Sequence, residues 1–147
     1  MLAPPTYAAK GEKALARYLA AYLSTAVVMA GLDYVWLGYF SRAFFEPAVG
    51  SLLAGRTDMS VAALFYVLYI AGVLLFAVAP AMRGGGWSNA LALGAAFGFF
   101  AYMTYDLTNM ATLKVWPAVI AVIDIAWGAS VTGIAALSGY LAASRLG

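Results

Sequence analysis

Between Val61 and Ala81 the chain carries not one charged side chain. A run of that length, rising ~1.5 Å per residue as a helix, crosses the ~30 Å hydrocarbon core of a bilayer. Within lipid a helix satisfies its own backbone N–H and C=O groups, which an isolated strand does not. Three more stretches of comparable length read the same way: about Tyr18 to Phe40, Ala90 to Met110, and Pro117 to Leu141. Composition agrees, with 65% hydrophobic residues, a mean hydropathy of +0.90 and 10% charged residues, against roughly a quarter charged in a soluble domain. The sequence therefore predicts an all-α integral membrane protein, a four-transmembrane-helix bundle in up-down order. Its single domain spans 18–142, between a mobile or interfacial arm over 1–17 and a tail over 143–147.

The connections carry the punctuation. Ser41 to Ser60 holds Arg42, Glu46, Pro47, Gly50, Gly55, Arg56 and Asp58 beside the apolar Phe44-Phe45 and Leu52-Leu53. That mixture predicts a short helix lying at the membrane interface. Ser60 or Asp58 is positioned to cap the second span. Pro80 and Arg83-Gly84-Gly85-Gly86 end it, and Pro117 suits the first turn of the fourth span. A cleavage-site reading of Val28-Met29-Ala30 competes at the first span, but the apolar pattern continues past it through Tyr34-Val35-Trp36-Leu37. Lys10, Lys13, Arg17, Arg83 and Arg145 gather on one side, and Arg42, Arg56 and Lys114 on the other. The excess of positive charge puts both termini in the cytoplasm.

Against this apolar background stand Asp33, Asp106 and Asp124. A carboxylate near the centre of a span costs roughly 2.5–3.5 kcal/mol on insertion scales, so three of them need a reason. Counted from the expected outer ends of their spans, each lies about seven residues in, or roughly 10 Å deep. Tyr66 and Tyr69 of the second span fall in the same layer. Tyr102, Asp106 and Asn109 share one helical face, and Tyr105 adjoins it. Asp33 with Trp36 and Asp124 with Trp127 are both Asp-x-x-Trp pairs, whose spacing predicts each indole beside its own carboxyl. The layer holds no Lys or Arg. Asp33, Asp106, Asn109 and Asp124 are the candidate ligand- or proton-handling residues; Trp36, Tyr66, Tyr69, Tyr102, Tyr105 and Trp127 are the candidate lining. Trp87 and Trp116 read as interfacial anchors. Gly94-x-x-x-Gly98 and Ala26-x-x-x-Ala30 read as close-packing faces, inside the bundle or between protomers.

Some classes are excluded. Cys and His are both absent, so no disulfide framework and no His- or Cys-ligated metal or haem is expected. The cofactor is unknown and no metal site is assigned. A net charge of +2 is too small to argue for nucleic acid.

The pattern Trp36-Leu37-Gly38, Leu64-Phe65-Tyr66 with Tyr69, Tyr102, Tyr105-Asp106-Leu107-Thr108-Asn109, Trp116-Pro117 and Asp124-Ile125-Ala126-Trp127-Gly128 resembles the family called domain of unknown function 2177. The likeness runs from about Tyr18 to Tyr140. It implies a small four-helix protein of the bacterial cytoplasmic (inner) membrane and supplies no reaction.

Three functions remain open. The first is binding or transport of a small polar, cationic or lipid-like ligand, proton-linked or not, in which the clustered carboxyls titrate as a set. Four short helices enclose little volume, so transport calls for a homodimer. The second is a membrane enzyme acting on a lipid or isoprenoid, with Asp acid and base groups, or with Asp106, Asn109 and a second carboxylate holding Mg²⁺ against a phosphate. The third is an accessory subunit of a larger membrane complex. The bland alternative to all three is that the carboxyls merely tie helices together.

Overall fold

The structure, a computed structural model, describes residues 7–147. It is all-α and 90% helical, with no strand among the described residues. Three helical stretches are long and apolar enough to cross a membrane: Ala9–Leu52, Met59–Thr112 and Ala118–Ser144. Many large apolar side chains, Leu23, Val27, Leu68, Phe76 and Val122 among them, point outward and are exposed. Water would not tolerate so continuous an apolar exterior, and lipid does.

Helix α1 spans Tyr7–Val35 and continues through a widened stretch, Trp36–Phe45, into the short α2, Glu46–Val49. The widening is visible where the Glu46 N–H reaches back five residues to the Ser41 carbonyl. The expected arm is thus helical from Tyr7 onward and continuous with the first span, while residues 1–6 lie outside the described residues. A short helix, α2, does fall in the connection where one was expected, but it extends the first helix rather than standing apart. No breaker occurs before Pro47, and a proline early in a helix loses only a donor that is unpaired anyway.

Helix α3, Met59–Val73, starts at an Asp58 cap whose Oδ1 accepts from the backbone N–H groups of Ser60 and Val61. This satisfies two donors that the first turn leaves open. The helix widens again over Leu74–Val78, where the Ala79 N–H donates to the Leu74 carbonyl. Pro80 follows, and its ring would otherwise collide with the carbonyl four residues back. Gly84 (φ 124°) and Gly86 (φ 73°) then take backbone conformations that side chains resist, and the chain turns. Helix α4, Gly86–Thr112, runs back so that Phe97 stacks near Phe76 and Tyr69 and meets Gly72. Helix α5, Ala118–Ser144, begins after Pro117, which sits just outside it in extended conformation.

The most intimate packing joins α4 to α5. A Cβ added at Gly94 would stand 2.6 Å from the Ala136 Cβ and 2.9 Å from the Thr132 carbonyl oxygen. One at Gly98 would strike the Gly128 carbonyl. The Gly94–Gly98 spacing therefore serves a contact inside the bundle. On the other side of α5, Ser24 Oγ donates to the Ser138 carbonyl at 3.2 Å, and Ser138 Oγ lies 3.3 Å from the Ser24 carbonyl. These bonds clamp α1 to α5. Between the helices Met29, Ile70, Val131 and Ala135 form one buried cluster, and Ala21, Val73, Ala77, Val78, Ala136 and Ala143 another.

Helix α3 is the loosest member. Helix α4 packs on Leu74–Val78, and the end of α3 joins the core through Ile70 and Val73, whereas the first turns of α3 stand away from α4 and α5. Two tyrosines tie α3 to α1 and α5. Tyr66 Oη donates to Asp33 Oδ2 at 2.8 Å, and Tyr69 Oη pairs with Thr132 Oγ1 at 2.9 Å.

Candidate functional site

The three intramembrane aspartates all face the bundle interior: Asp33 is 7% exposed, Asp124 7% and Asp106 0%. Their surroundings differ. Asp33 on α1 has one donor on each oxygen, Tyr66 Oη and, at 3.3 Å, Trp127 Nε1 of α5. Asp106 on α4 accepts from Trp116 Nε1 at 3.0 Å through Oδ1, and its Oδ2 is buried with no N–H or hydroxyl donor. Its other neighbour is the Asp124 carboxyl of α5, to which it is hydrogen-bonded, carboxyl to carboxyl, through a shared proton. Asp124 has no further side-chain partner among the described residues.

The indoles are exchanged relative to the Asp-x-x-Trp expectation. Trp127 serves Asp33 on another helix, not Asp124 three residues earlier. Trp36 donates to neither carboxyl; it stacks face to face on Trp127, ring centroids 4.6 Å apart at 7°. Adjacent i, i+3 side chains share a helix face, but the direction of an indole N–H is set by the neighbouring helix. The anchor role read for Trp116 is also revised. Its ring folds back under Phe45 and Tyr105, with centroids 6.5 and 5.6 Å away, and its N–H enters the protein.

A cavity of about 220 Å³ opens beside these groups. Asp33 and Asp124 form its acidic wall, and Trp36, Tyr66, Tyr102 and Tyr105 its aromatic one. A second space of about 350 Å³ adjoins it, sharing Phe65, Tyr102, Tyr105 and Asp124 and adding Tyr69 and Ala101. This second space lies where α3 splays from α4. Phe65 and Tyr105, both exposed, flank its opening towards the lipid side.

Six of the ten sequence candidates thus line the first cavity, and Tyr69 lines the second. Trp127 lies behind the wall, holding Asp33 and Trp36 in place, so it supports the lining rather than belonging to it. Asp106 is likewise behind Asp124, out of the cavity. Asn109 does not reach the cavity wall; its side chain lies beside Tyr105 and its carbonyl accepts the Leu113 N–H that closes α4. Among the described residues no three carboxyls converge as metal ligands would.

Sequence reasoning missed Ser41, Phe45 and Phe65 in the walls and Trp116 behind them. Only Trp116 gave a signal, being a tryptophan at the same membrane end as Asp106 and joined to it by a short connection. Gly128 is the other missed residue. It has no side chain because the Tyr102 ring occupies the place of its Cβ.

Residues 18–141 match a family described as predicted membrane protein, domain of unknown function 2177. The chain belongs to that family. No curated protein and no solved structure matches it. The matched segment of the domain of unknown function 2177 family takes in all three aspartates and every residue of both cavities, and it begins after the first turns of α1.

Proposed function

We propose that this protein is a four-span integral membrane protein of the bacterial cytoplasmic membrane, with both termini inside. In this reading it binds or carries a small polar, cationic or lipid-like ligand in the cavity walled by Asp33 and Asp124. One observation carries the reading. Asp124 is almost fully buried, is hydrogen-bonded only to another carboxyl, that of Asp106, and borders open space between helices. A carboxyl retained only to tie helices together satisfies itself on a neighbour, as Asp33 does with Tyr66 and Trp127. Asp124 meets only a like-charged partner, and its cavity side is open to a ligand.

The turn at Gly84–Gly86 supports counting Met59–Thr112 as two antiparallel spans, because 54 residues of straight helix would reach ~80 Å, far beyond a bilayer. The five cationic residues on the terminal side support the orientation.

The test extracts the parent protein and the Ser41→Trp variant in mild detergent and identifies bound small molecules by mass spectrometry. Ser41 borders the cavity mouth, and an indole there fills it. The parent should carry a cargo that an equally well-folded Ser41→Trp protein lacks. Identical cargo, or none in either, would remove the binding reading.

A further inference from the structure

The two cavities differ in character and are joined at Asp124. The first has two carboxyls and aromatic faces. The second is walled by Phe65, Tyr69, Ala101, Tyr102 and Tyr105, with Asp124 as its acidic member, and it lies in the gap between α3 and α4. A molecule occupying both has a polar end at Asp124 and an apolar end against the lipid.

The charge of that end follows from what surrounds it. The walls carry no Lys or Arg. Arg42, the cation nearest along the chain, lines a separate surface recess with Tyr34 and Tyr39. Nothing in the walls would neutralise a phosphate, sulfate or carboxylate, and Asp33 and Asp124 would repel one. A cation gains the charge of the Asp33 and Asp124 carboxyls, the latter sharing only a proton with Asp106, and the aromatic walls of Tyr66 and Tyr102. The first cavity, at about 220 Å³, accepts an ammonium group with a few carbons.

Resting on the binding reading above, we infer that the ligand is a monocationic amphiphile. Its ammonium head pairs with Asp124 in the inner cavity, and its apolar tail leaves through the gap between α3 and α4. The tyrosine bridges account for the gap: Tyr66 and Tyr69 hold α3 at a distance while leaving the space between them and α4 open. Asp33, held by a donor on each oxygen, adds charge to the wall but is not the pairing group. An ammonium can come from a free long-chain amine or from a zwitterionic phospholipid head group. The lack of a partner for phosphate favours the free amine.

The experiment titrates purified protein in non-ionic detergent with decyltrimethylammonium, decanol, decyl phosphate and a short-chain phosphatidylethanolamine. Binding is followed through the fluorescence of the stacked Trp36–Trp127 pair. Decyltrimethylammonium, which has no N–H to donate, should still bind at least about tenfold more tightly than decanol, through charge pairing and cation–π contact. Asp124→Asn should erase that advantage while decanol binding stays. Ala101→Trp, which fills the outer cavity while leaving every carboxyl in the chain, should weaken every tailed probe, so the proposal does not depend on how well Asp124→Asn folds. Equal binding of decanol or decyl phosphate overturns the ammonium assignment and leaves the cavity reading standing. Phosphatidylethanolamine binding more tightly than the simple amine overturns the choice of source. No response to any probe overturns both readings.

Discussion

The closest approach in the site is between Gly128 on α5 and the Tyr102 ring on α4, and Gly128→Ala tests it. An added Cβ would lie 2.7 Å from Tyr102 Cδ1 and closer still to Cγ and Cδ2. Carbon atoms rest at ~3.5–4.0 Å, so the overlap at Cγ is roughly 1.5 Å or more, against the base of the ring rather than its tip. The ring cannot escape by a small tilt and must swing into the cavity. Overpacking of this kind costs about 1–3 kcal/mol. Tyr102→Ala alone should cost about 1–3 kcal/mol, less than the ~3–5 of a fully buried aromatic, because the ring is only half buried. With the ring gone, the alanine at 128 meets no ring and improves helix propensity by up to ~1 kcal/mol. Gly128→Ala should therefore be neutral or stabilising in the Tyr102→Ala background. The coupling should exceed the ~0.5 kcal/mol scatter of independent sites by a wide margin. The assay is unfolding of all four proteins in mixed micelles titrated with dodecyl sulfate, followed by tryptophan fluorescence. If Gly128→Ala costs as much without the ring as with it, Tyr102 is not what fills the notch, and the account of this wall of the cavity fails.

Trp127→Phe removes the 3.3 Å donor to Asp33 but keeps an aromatic ring against Trp36. It should cost about 0.5–1.5 kcal/mol, read as a lower melting temperature in detergent, and Trp36→Phe should cost less. Trp116→Phe strips the fully buried Asp106 of its one indole donor and leaves it only the Asp124 carboxyl, so it should cost about 1–3 kcal/mol; a melting curve matching the parent would show that Trp116 is an anchor after all. Asp106→Asn keeps an acceptor for Trp116 and places an N–H₂ where the orphaned Oδ2 faces Asp124. That variant should melt no lower than the parent, whereas Asp106→Leu should melt well below it. Cysteines placed at Gly55 and Ser144 should label from opposite sides of the membrane, and labelling from the same side would refute the four-span count.

Within the sequence alone, helix is forced wherever an apolar run must cross lipid, because no other isolated segment satisfies its backbone there. The shared depth of Asp33, Asp106 and Asp124 was equally legible, since rise per residue is fixed and span ends are marked by Pro, Gly and charge. The Asp58 cap could be read for the same reason: capping is a contact within one turn. Partnership across helices was not legible. Whether Trp127 donates to Asp33 or to Asp124 depends on how α1 and α5 are rotated against each other, and an i, i+3 spacing carries no information about that. Gly94 and Gly98 announced a close approach but not its partner, and the packing of α4 on α5 chose it. The splay of α3, and with it the open space in front of Asp124, was decided by the tertiary structure. It arises where two long tyrosines, rather than small side chains, span from α3 to its neighbours, and residue size registers as a gap only once the facing helix is known.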